Sequence, residues 1–205
     1  MKTVVIGIGN SILSDDSVGI KAVQAIRAAF YADESKDELK DELKDESKKM
    51  RRKEAVEFTK VHLGAVIESA SQQCFTAQRS KQSRANVKFI EASTGGINLM
   101  EYMAGFHKAI IIDAIVTGKH KAGTVFKFIY PDIPYTRNTV STHDMDLPMA
   151  LEMGKHLGIA LPSEIVIFAV EAKDTVNFGE NLTEEVEIAM GSVVSEIKCL
   201  LANYN

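Results

Sequence analysis

Five apolar stretches that alternate with helical patterns are the feature that most constrains the fold of this chain. Most of the stretches are near-continuous runs of Val, Ile and Phe, which is typical of strands covered on both faces, as in parallel sheets. They lie at Thr3–Ile8, Val87–Glu91, Ala109–Val116, Thr124–Ile129 and Glu164–Val170. The helical patterns lie at Asp16–Phe30, Gly96–Ala104, His143–Leu157 and Thr183–Ala202. This alternation predicts βαβ units and an α/β fold of the three-layer α/β/α sandwich type.

The size and composition of the chain indicate one globular domain. Its 205 residues are 45% hydrophobic and 25% charged, and a chain of this length can bury a sizeable core. The net charge of −4 disfavours a general nucleic-acid-binding face. No signal-peptide pattern opens the sequence, and no apolar run reaches the ~20 residues needed to span a bilayer. Cys74 and Cys199 lie far apart without a CxxC pattern. We therefore expect a cytoplasmic protein with ordinary thiols and no membrane insertion.

A charged segment at about 31–86 interrupts the alternation of strands and helices. Its part from Asp33 to Lys53 contains eight acidic and eight basic residues and a repeated Lys-Asp-Glu-Leu/Ser tetrapeptide. With so few apolar residues this part cannot bury a face, which predicts a solvated, frayed helix or a disordered insertion. The domain is thus predicted to cover residues 1–205, with a charged, flexible insertion at about 31–86.

The loop after the first predicted strand carries two adjacent carboxylates, Asp15 and Asp16, behind a glycine-rich turn. Gly7 and Gly9 fit the start of a dinucleotide-binding fingerprint, but Ile12 occupies the position of its third glycine. The two carboxylates would also repel a pyrophosphate at the helix N-terminus. One of them can be explained as a helix N-cap, because Ser and Asp are preferred there. The other carboxylate then needs a different explanation.

Two further residues have the chemistry and the predicted position of site residues. Asp113 follows the apolar run Ala109–Ile112, and strand ends at this edge of a doubly wound sheet line the ligand crevice. His143 follows Ser141 and Thr142, either of which can cap a helix. In the first turn of that helix the dipole would disfavour protonation of His143 and keep its imidazole available as a ligand. Each residue alone is also compatible with a structural role.

Together, two carboxylates and one imidazole would form a ligand set for a hard-to-borderline divalent metal, with coordination positions left open. The sequence contains no Gly-x-Ser-x-Gly elbow, no His-Glu-x-x-His motif and no Walker A loop. If the protein is a hydrolase, attack by water with the help of a metal fits better than a covalent intermediate.

The order and spacing of several short motifs resemble the maturation endopeptidases of nickel–iron hydrogenases. The motifs are Gly7-Ile8-Gly9-Asn10 with Asp15, Asp16 and Gly19, then Thr94-Gly95-Gly96, Ile112-Asp113-Ala114-Ile115-Val116, Gly123-Thr124 and Ser141-Thr142-His143. The resemblance covers the chain outside the insertion. It implies an α/β/α sandwich around a five-stranded, mostly parallel twisted sheet. It also implies removal of a C-terminal extension from the hydrogenase large-subunit precursor once nickel has been inserted.

The resemblance assigns roles to particular residues. Its three metal ligands, which would also be the catalytic groups, fall on Asp16, Asp113 and His143. The residues expected to contact the substrate are Asn10, Asp15, Thr94 and Gly95, although Asp15 is better explained as orienting the loop or capping the helix. Nickel would be supplied by the substrate, and another divalent metal could occupy the site of the isolated protein. The expected partner is the large-subunit precursor, and we expect the enzyme to be a monomer.

Some residues depart from the family pattern. Ser17 stands where glycine is frequent, and Glu91-Ala92-Ser93-Thr94 replaces a more usual Asp-Gly-Gly-Thr-like run. Fewer glycines would stiffen this loop and alter how a peptide fits. Two alternatives therefore stay open: a catalytically impaired relative that binds precursor or metal without cleavage, and a nucleotide-binding α/β domain.

Overall fold

The computed structural model of this chain describes residues 1–41, 86–93, 97–130 and 147–203. The strands in the described part are β1 (Thr3–Ile8), β2 (Val87–Ala92), β3 (Lys108–Ile115), β4 (Val125–Ile129) and β5 (Glu164–Glu171). The helices there are α1 (Val18–Asp41), α2 (Ile97–Met103), α3 (Leu147–His156) and α4 (Glu184–Asn203), and a 3₁₀ turn at Asp15–Ser17 precedes α1. Each predicted strand is confirmed within a residue or two.

The strands form a single five-stranded sheet in the order β2-β1-β3-β5-β4. The pairs β1–β2, β1–β3 and β3–β5 are parallel, and only β4 runs antiparallel, against β5. β1 and β3 lie next to each other in the middle of the sheet, with Gly7 opposite Ile112. The predicted α/β fold with a mostly parallel five-stranded sheet is therefore confirmed, and the ends of β1 and β3 meet at one edge.

Two hydrophobic clusters cover the two faces of the sheet. On one face, α1 and α4 pack over strand residues such as Val5, Ile110 and Phe168. On the other face, Leu99 and Met103 of α2 and Leu151 of α3 pack over Val4, Ile6, Ala109, Ile111 and Ile165. Because side chains alternate along a strand, the continuous apolar runs of β1 and β3 supply both clusters at once.

The first helix extends further than the sequence predicts. We expected it to end at Phe30, but α1 continues to Asp41, into the charged repeat. The start of the charged repeat is therefore helical, and the character of the insertion as a whole stays a prediction. Residues 42–85, which hold the rest of that segment, lie outside the described residues.

Two glycines let β1 approach α1 closely. A Cβ at Gly7 would stand 2.0 Å from the carbonyl oxygen of Gly19, and a Cβ at Gly19 would stand 2.3 Å from that of Ile8 and 2.4 Å from that of Ile112. Such contacts are far inside van der Waals distance, so no other residue fits without a backbone shift. The glycines thus seat the start of α1 directly on the carboxyl ends of β1 and β3.

The amino edge of the sheet contains an ion pair with one buried partner. Lys108 begins β3 with a fully buried side chain, and its Nζ lies 2.6 Å from Oε1 of Glu164, which begins β5. The two residues are direct partners in the parallel register. At this edge a buried charge is therefore neutralised by a neighbouring strand.

Among the helices of the described residues, none is long and apolar enough to cross a membrane.

Candidate active site

The candidate site lies where β1 and β3 end side by side. The loop that follows β1 folds back over this edge and leads through the 3₁₀ turn at Asp15–Ser17 into α1. Asp113 lies in β3, one residue beyond the β1–β3 pair formed by Gly7 and Ile112. The sequence predicted that Asp16 and Asp113 share this edge, and the structure places both there.

Asp16 is held in place by the loop on which it lies. It is 2% exposed, and its Oδ2 accepts a hydrogen bond of 2.9 Å from the backbone N–H of Asn10. Gly9 permits this fold, because a Cβ there would stand 1.9 Å from the carbonyl oxygen of Asp16. The glycine-rich turn thus wraps around the Asp16 carboxylate.

Asp113 is partly buried in β3, two residues before the strand ends at Ile115. By the alternation of side chains it shares a face with Ala109 and Ile111, the face covered by α2 and α3. Its Oδ1 accepts a hydrogen bond of 2.8 Å from the backbone N–H of Ala114. As the predicted strand Ala109–Val116 implies, the strand continues past Asp113.

The two carboxylates influence each other electrostatically. Burial raises the pKa of Asp113 from 3.8 to about 7, the hydrogen bond from Ala114 opposes this shift, and the negative charge of Asp16 adds to it. Like charges brought together out of water disfavour the doubly ionised state. A cation bound between Asp16 and Asp113 would remove this conflict, so the pair has the electrostatics of a metal or cation site.

Asn10 shapes the same loop. Besides the donation from its N–H to Asp16, its Oδ1 accepts from Ile12 N at 3.2 Å and its carbonyl oxygen accepts from Leu13 N at 3.1 Å. An Asn side chain that bonds the backbone two residues on is an Asx turn. Asn10 therefore organises the turn and supports the Asp16 carboxylate at once.

Asp15 differs from its neighbour Asp16 in every contact. It is fully buried, its Oδ2 accepts from the backbone N–H groups of Lys173 and Asp174 and from the hydroxyl of Thr183, and its Oδ1 accepts from Thr183 N. These bonds join the first loop to the loop between β5 and α4. They match the expectation that Asp15 orients the loop, while its contact with substrate stays a prediction.

The first loop has little capacity left to bind a phosphate. Its backbone N–H groups donate within the protein, Gly9 to Ala92 O, Leu13 to Asn10 O, Ser14 to Asn177 O and Asp15 to Asp174 O. A dinucleotide site requires such groups to face the pyrophosphate. The loop geometry, together with its two carboxylates, therefore disfavours the nucleotide-binding alternative.

Three of the predicted site residues, Thr94, Gly95 and His143, lie outside the described residues. Within the part of the chain that is described, no group of three or more His, Cys, Asp or Glu side chains is arranged to hold a metal ion. A metal at Asp16 and Asp113 thus needs another ligand, from residues beyond this part or from a partner.

The helix that follows His143 in sequence is α3. The turn after α2 is joined to the turn after α3 by a hydrogen bond from Gly105 N to Ala160 O, and β5 then starts at the amino edge with Glu164. The C-terminal end of α3 therefore lies toward the amino edge of the sheet. His143 is four residues earlier in the sequence.

The two departures from the family pattern have local structural explanations. The hydroxyl of Ser17 donates a 2.6 Å hydrogen bond to the carbonyl oxygen of Ser14, inside the 3₁₀ turn. Glu91 pairs with Arg27 at 2.8 Å and accepts from the Gln24 amide at 2.8 Å, which ties β2 to α1. Both residues therefore stabilise the elements around the site.

Sequence reasoning missed the residues that brace the site from the end of β5. Glu171 is 2% exposed, and Thr183 contacts Asp15 through both its N–H and its hydroxyl. Glu171 could have been noticed as a carboxylate at the end of an apolar strand. Thr183 gave no such signal, since it reads as an ordinary start of a helix.

Fold and site together define an α/β protein with an acidic centre at the carboxyl edge of its sheet. A family model described as hydrogenase maturation protease matches residues 74–199. The chain belongs to this family, and the resemblance seen in the sequence is confirmed. A comparison with curated proteins finds no significant match.

Solved structures show the same fold at low sequence identity. The hydrogenase maturating endopeptidase HybD from E. coli aligns with a TM-score of 0.60 and 20% identity, over 96% of this chain and 90% of that one. The [NiFe] hydrogenase maturation protease HybD from Thermococcus kodakarensis aligns with a TM-score of 0.56 and 20% identity, over 99% and 100% of the two chains. At this identity the alignments establish the fold, and the roles of individual residues have to be argued from the site itself.

Proposed function

We propose that this protein is an endopeptidase that removes the C-terminal extension of a nickel–iron hydrogenase large-subunit precursor after nickel has been inserted. Membership of the hydrogenase maturation protease family supports the substrate class. The observation that carries the proposal is the Asp16–Asp113 pair, in which burial and the charge of Asp16 raise the pKa of Asp113 to about 7. A divalent cation is the natural counter-charge for two such carboxylates.

The donor set fits a nickel ion that arrives with the substrate. Two carboxylates, with an imidazole from His143 as the third ligand, suit borderline divalent metals and leave coordination positions for ligands of the precursor. Each described carboxylate is oriented by a backbone N–H, that of Asn10 for Asp16 and that of Ala114 for Asp113. Such outer hydrogen bonds orient metal-binding side chains.

The protein's part in the reaction is to bind the precursor, orient its nickel centre and scissile bond, and select precursors that contain nickel. A bound metal would polarise the scissile carbonyl or activate a water molecule. Asp16, Asp113 and His143 would hold the nickel centre of the precursor against the sheet edge, and Asn10, Thr94 and Gly95 would shape the groove for the extension. Since the protein supplies only part of the coordination shell, a precursor without nickel would dock poorly, and cleavage would report successful insertion. We infer that the enzyme works as a cytoplasmic monomer.

The test is cleavage of a nickel-loaded and a nickel-free precursor by the wild type and by Asp16→Asn, Asp113→Asn and His143→Ala, followed by mass spectrometry of the C-terminus. The wild type should trim only the loaded precursor, and each variant should lose at least ~100-fold in rate, at the upper end of effects seen when metal sites are disturbed. Glu152→Gln, an exposed carboxylate on α3, is the matched control and should cleave normally.

Two results would contradict the proposal. Equal trimming of nickel-loaded and nickel-free precursor would show that cleavage does not depend on nickel. Binding of the loaded precursor by the wild type without any trimming would instead identify an impaired relative that holds its partner.

A further inference from the structure

The carboxyl end of β5 contacts both the first loop, which carries Asp16, and the end of β3, the strand that carries Asp113. β5 is the parallel neighbour of β3, with Asp113 opposite Ala169 and Ile115 opposite Glu171. Beyond the strand, Ala172 N donates to Ile115 O at 2.8 Å, so this segment stays against the end of β3. The next residues, from Lys173 onward, reach the first loop.

Asp15 joins this segment to the loop of Asp16. The bonds from Lys173 N and Asp174 N are each 2.9 Å, and those from Thr183 N and Thr183 Oγ1 are 2.7 and 3.0 Å. In the reverse direction, Asp15 N donates to Asp174 O at 2.9 Å. A fully buried carboxylate with four donors keeps one position, and Asp16 follows it directly in the chain.

Glu171 joins the same segment to the loop that follows Asp113. Its Oε1 accepts from Thr117 N at 2.9 Å and from Gly118 N at 3.1 Å, and its Oε2 accepts from the Thr117 hydroxyl at 2.8 Å. It is also buried, with 2% exposure. Two buried carboxylates, Glu171 at the end of β5 and Asp15 in the first loop, thus connect the β5 end to the loops that follow β3 and β1.

We propose that Asp15 and Glu171 are positioning residues that set the relative placement of the Asp16 and Asp113 carboxylates through the end of β5. This inference rests on the proposed function for its catalytic consequence, while the geometric part can be measured without substrate. Outer residues that orient metal-binding groups affect activity by about 10–100-fold when they are changed.

Asp15 and Glu171 accept hydrogen bonds from different kinds of donor, and this difference lets the proposal be tested with specific substitutions. Both oxygens of Asp15 face backbone N–H groups, so an amide in its place would turn an NH₂ toward a donor in either orientation. At Glu171 only one oxygen faces N–H groups, and the other faces a hydroxyl, which can also accept. Asp15→Asn should therefore disrupt the hydrogen bonds between the first loop and the segment after β5. Glu171→Gln should keep most of the hydrogen bonds between the end of β5 and the loop after β3.

The experiment compares Asp15→Asn, Glu171→Gln and Glu171→Ala with Thr183→Val and its matched control Thr183→Ser, which keeps the hydroxyl. Cleavage of nickel-loaded precursor gives kcat and KM for each variant well below its Tm. Amide hydrogen exchange of Asn10, whose N–H donates to Asp16, reports the placement of that carboxylate without substrate.

We expect Asp15→Asn and Glu171→Ala to lower kcat by roughly 10–100-fold with little change in KM, because docking groups remain while orientation is lost. Exchange of the Asn10 amide should accelerate in Asp15→Asn. Thr183→Val should show a smaller effect in the same direction, and Thr183→Ser and Glu171→Gln should stay close to the wild type. If Asp15→Asn does not fold, kcat and Asn10 exchange are compared between Thr183→Val and Thr183→Ser instead.

The inference is overturned if folded Asp15→Asn keeps both the wild-type kcat and the wild-type exchange of Asn10, or if Glu171→Gln loses as much activity as Glu171→Ala. A wild-type protein that cleaves no precursor would refute the proposed function instead. In that case the exchange of Asn10 alone still decides whether Asp15 places Asp16.

Discussion

The two edges of the sheet differ in how their buried charges are paired. At the amino edge, the fully buried side chain of Lys108 meets the carboxylate of Glu164 at 2.6 Å, so opposite charges lie together. At the carboxyl edge, Asp16 and Asp113 are of like charge, and burial with the charge of Asp16 raises the pKa of Asp113 to about 7. The amino edge is arranged for stability, whereas the carboxyl edge keeps an unfavourable arrangement that a bound cation would relieve.

This contrast also separates two kinds of carboxylate at the carboxyl edge. Asp15 and Glu171 are buried at the same edge as Asp16 and Asp113, but each is surrounded by several hydrogen-bond donors. Carboxylates of this kind have their hydrogen-bonding capacity used within the protein, so they hold the loops around them in place. A raised pKa next to a second acid is instead typical of groups whose task is to bind or react.

The largest expected effect is at Asp113. Asp113→Asn should abolish cleavage and yet stabilise the protein at pH 8, since it removes a buried charge and can still accept from Ala114 N. The gain in free energy of unfolding should be on the order of a few kcal/mol, as follows from a pKa raised by several units. Chemical unfolding at pH 8 measures it, and a variant less stable than the wild type would contradict the contrast between the edges.

The same variant should change the dependence of stability on pH. Because the folded-state pKa of Asp113 is raised from 3.8 to about 7, the folded protein binds the proton more tightly than the unfolded chain does. The contribution of Asp113 to stability is therefore greatest below pH ~4 and declines up to pH ~7. The difference in unfolding free energy between Asp113→Asn and the wild type should grow through this window and then level off. A constant difference would show that Asp113 titrates normally.

A substitution at the amino edge should lower stability and leave cleavage unchanged, the reverse of the effect expected for Asp113→Asn. Glu164→Gln removes the carboxylate 2.6 Å from Lys108 Nζ and should cost about 2 kcal/mol, less than for a fully enclosed pair because the Glu164 side chain is 39% exposed. Cleavage of the precursor below the Tm should be unchanged, since the site lies at the opposite edge. Normal stability together with impaired cleavage would reverse the roles that we assign to the two edges.

The smallest effect is expected for a surface pair away from both edges. Lys127 Nζ lies 2.7 Å from Glu196 Oε1, and both side chains are more than a third exposed. Glu196→Gln should change the unfolding free energy by less than ~1 kcal/mol, as is usual for exposed ion pairs, and leave cleavage unaffected. A larger loss would mean that charge matters across the whole fold and not mainly at the edges.

Much of the architecture could be predicted from the sequence because it depends on local pattern. Continuous apolar runs such as those of β1 and β3 predict strands buried on both faces, and the alternation with helices predicts a parallel sheet. The antiparallel direction of β4 and the end of α1 at Asp41 could not be predicted in this way. The direction of β4 depends on its pairing with β5, and the repeat that α1 enters has too few apolar residues to give a helical pattern.

The candidate site was predictable in its residue types and in its place on the sheet edge. Asp113 follows an apolar run directly and Asp16 lies in the loop after another, and the carboxyl ends of neighbouring parallel strands meet at one edge. The sequence could not distinguish the tasks of Asp15 and Asp16, because adjacent aspartates have the same local signal. His143, Thr94 and Gly95 lie outside the described residues, and their roles remain predictions.

The sequence by itself determined the alternating strands and helices, the glycines that let α1 approach the sheet, and the family to which the chain belongs. All of these follow from short-range pattern and from steric limits on single residues. Only the tertiary structure decided that Asp15 bonds to Lys173, Asp174 and Thr183 while the charge of Asp16 helps to raise the pKa of Asp113. Those partners are more than ninety residues away along the chain, and whether a carboxylate is structural or functional depends on the donors and charges that folding brings to it.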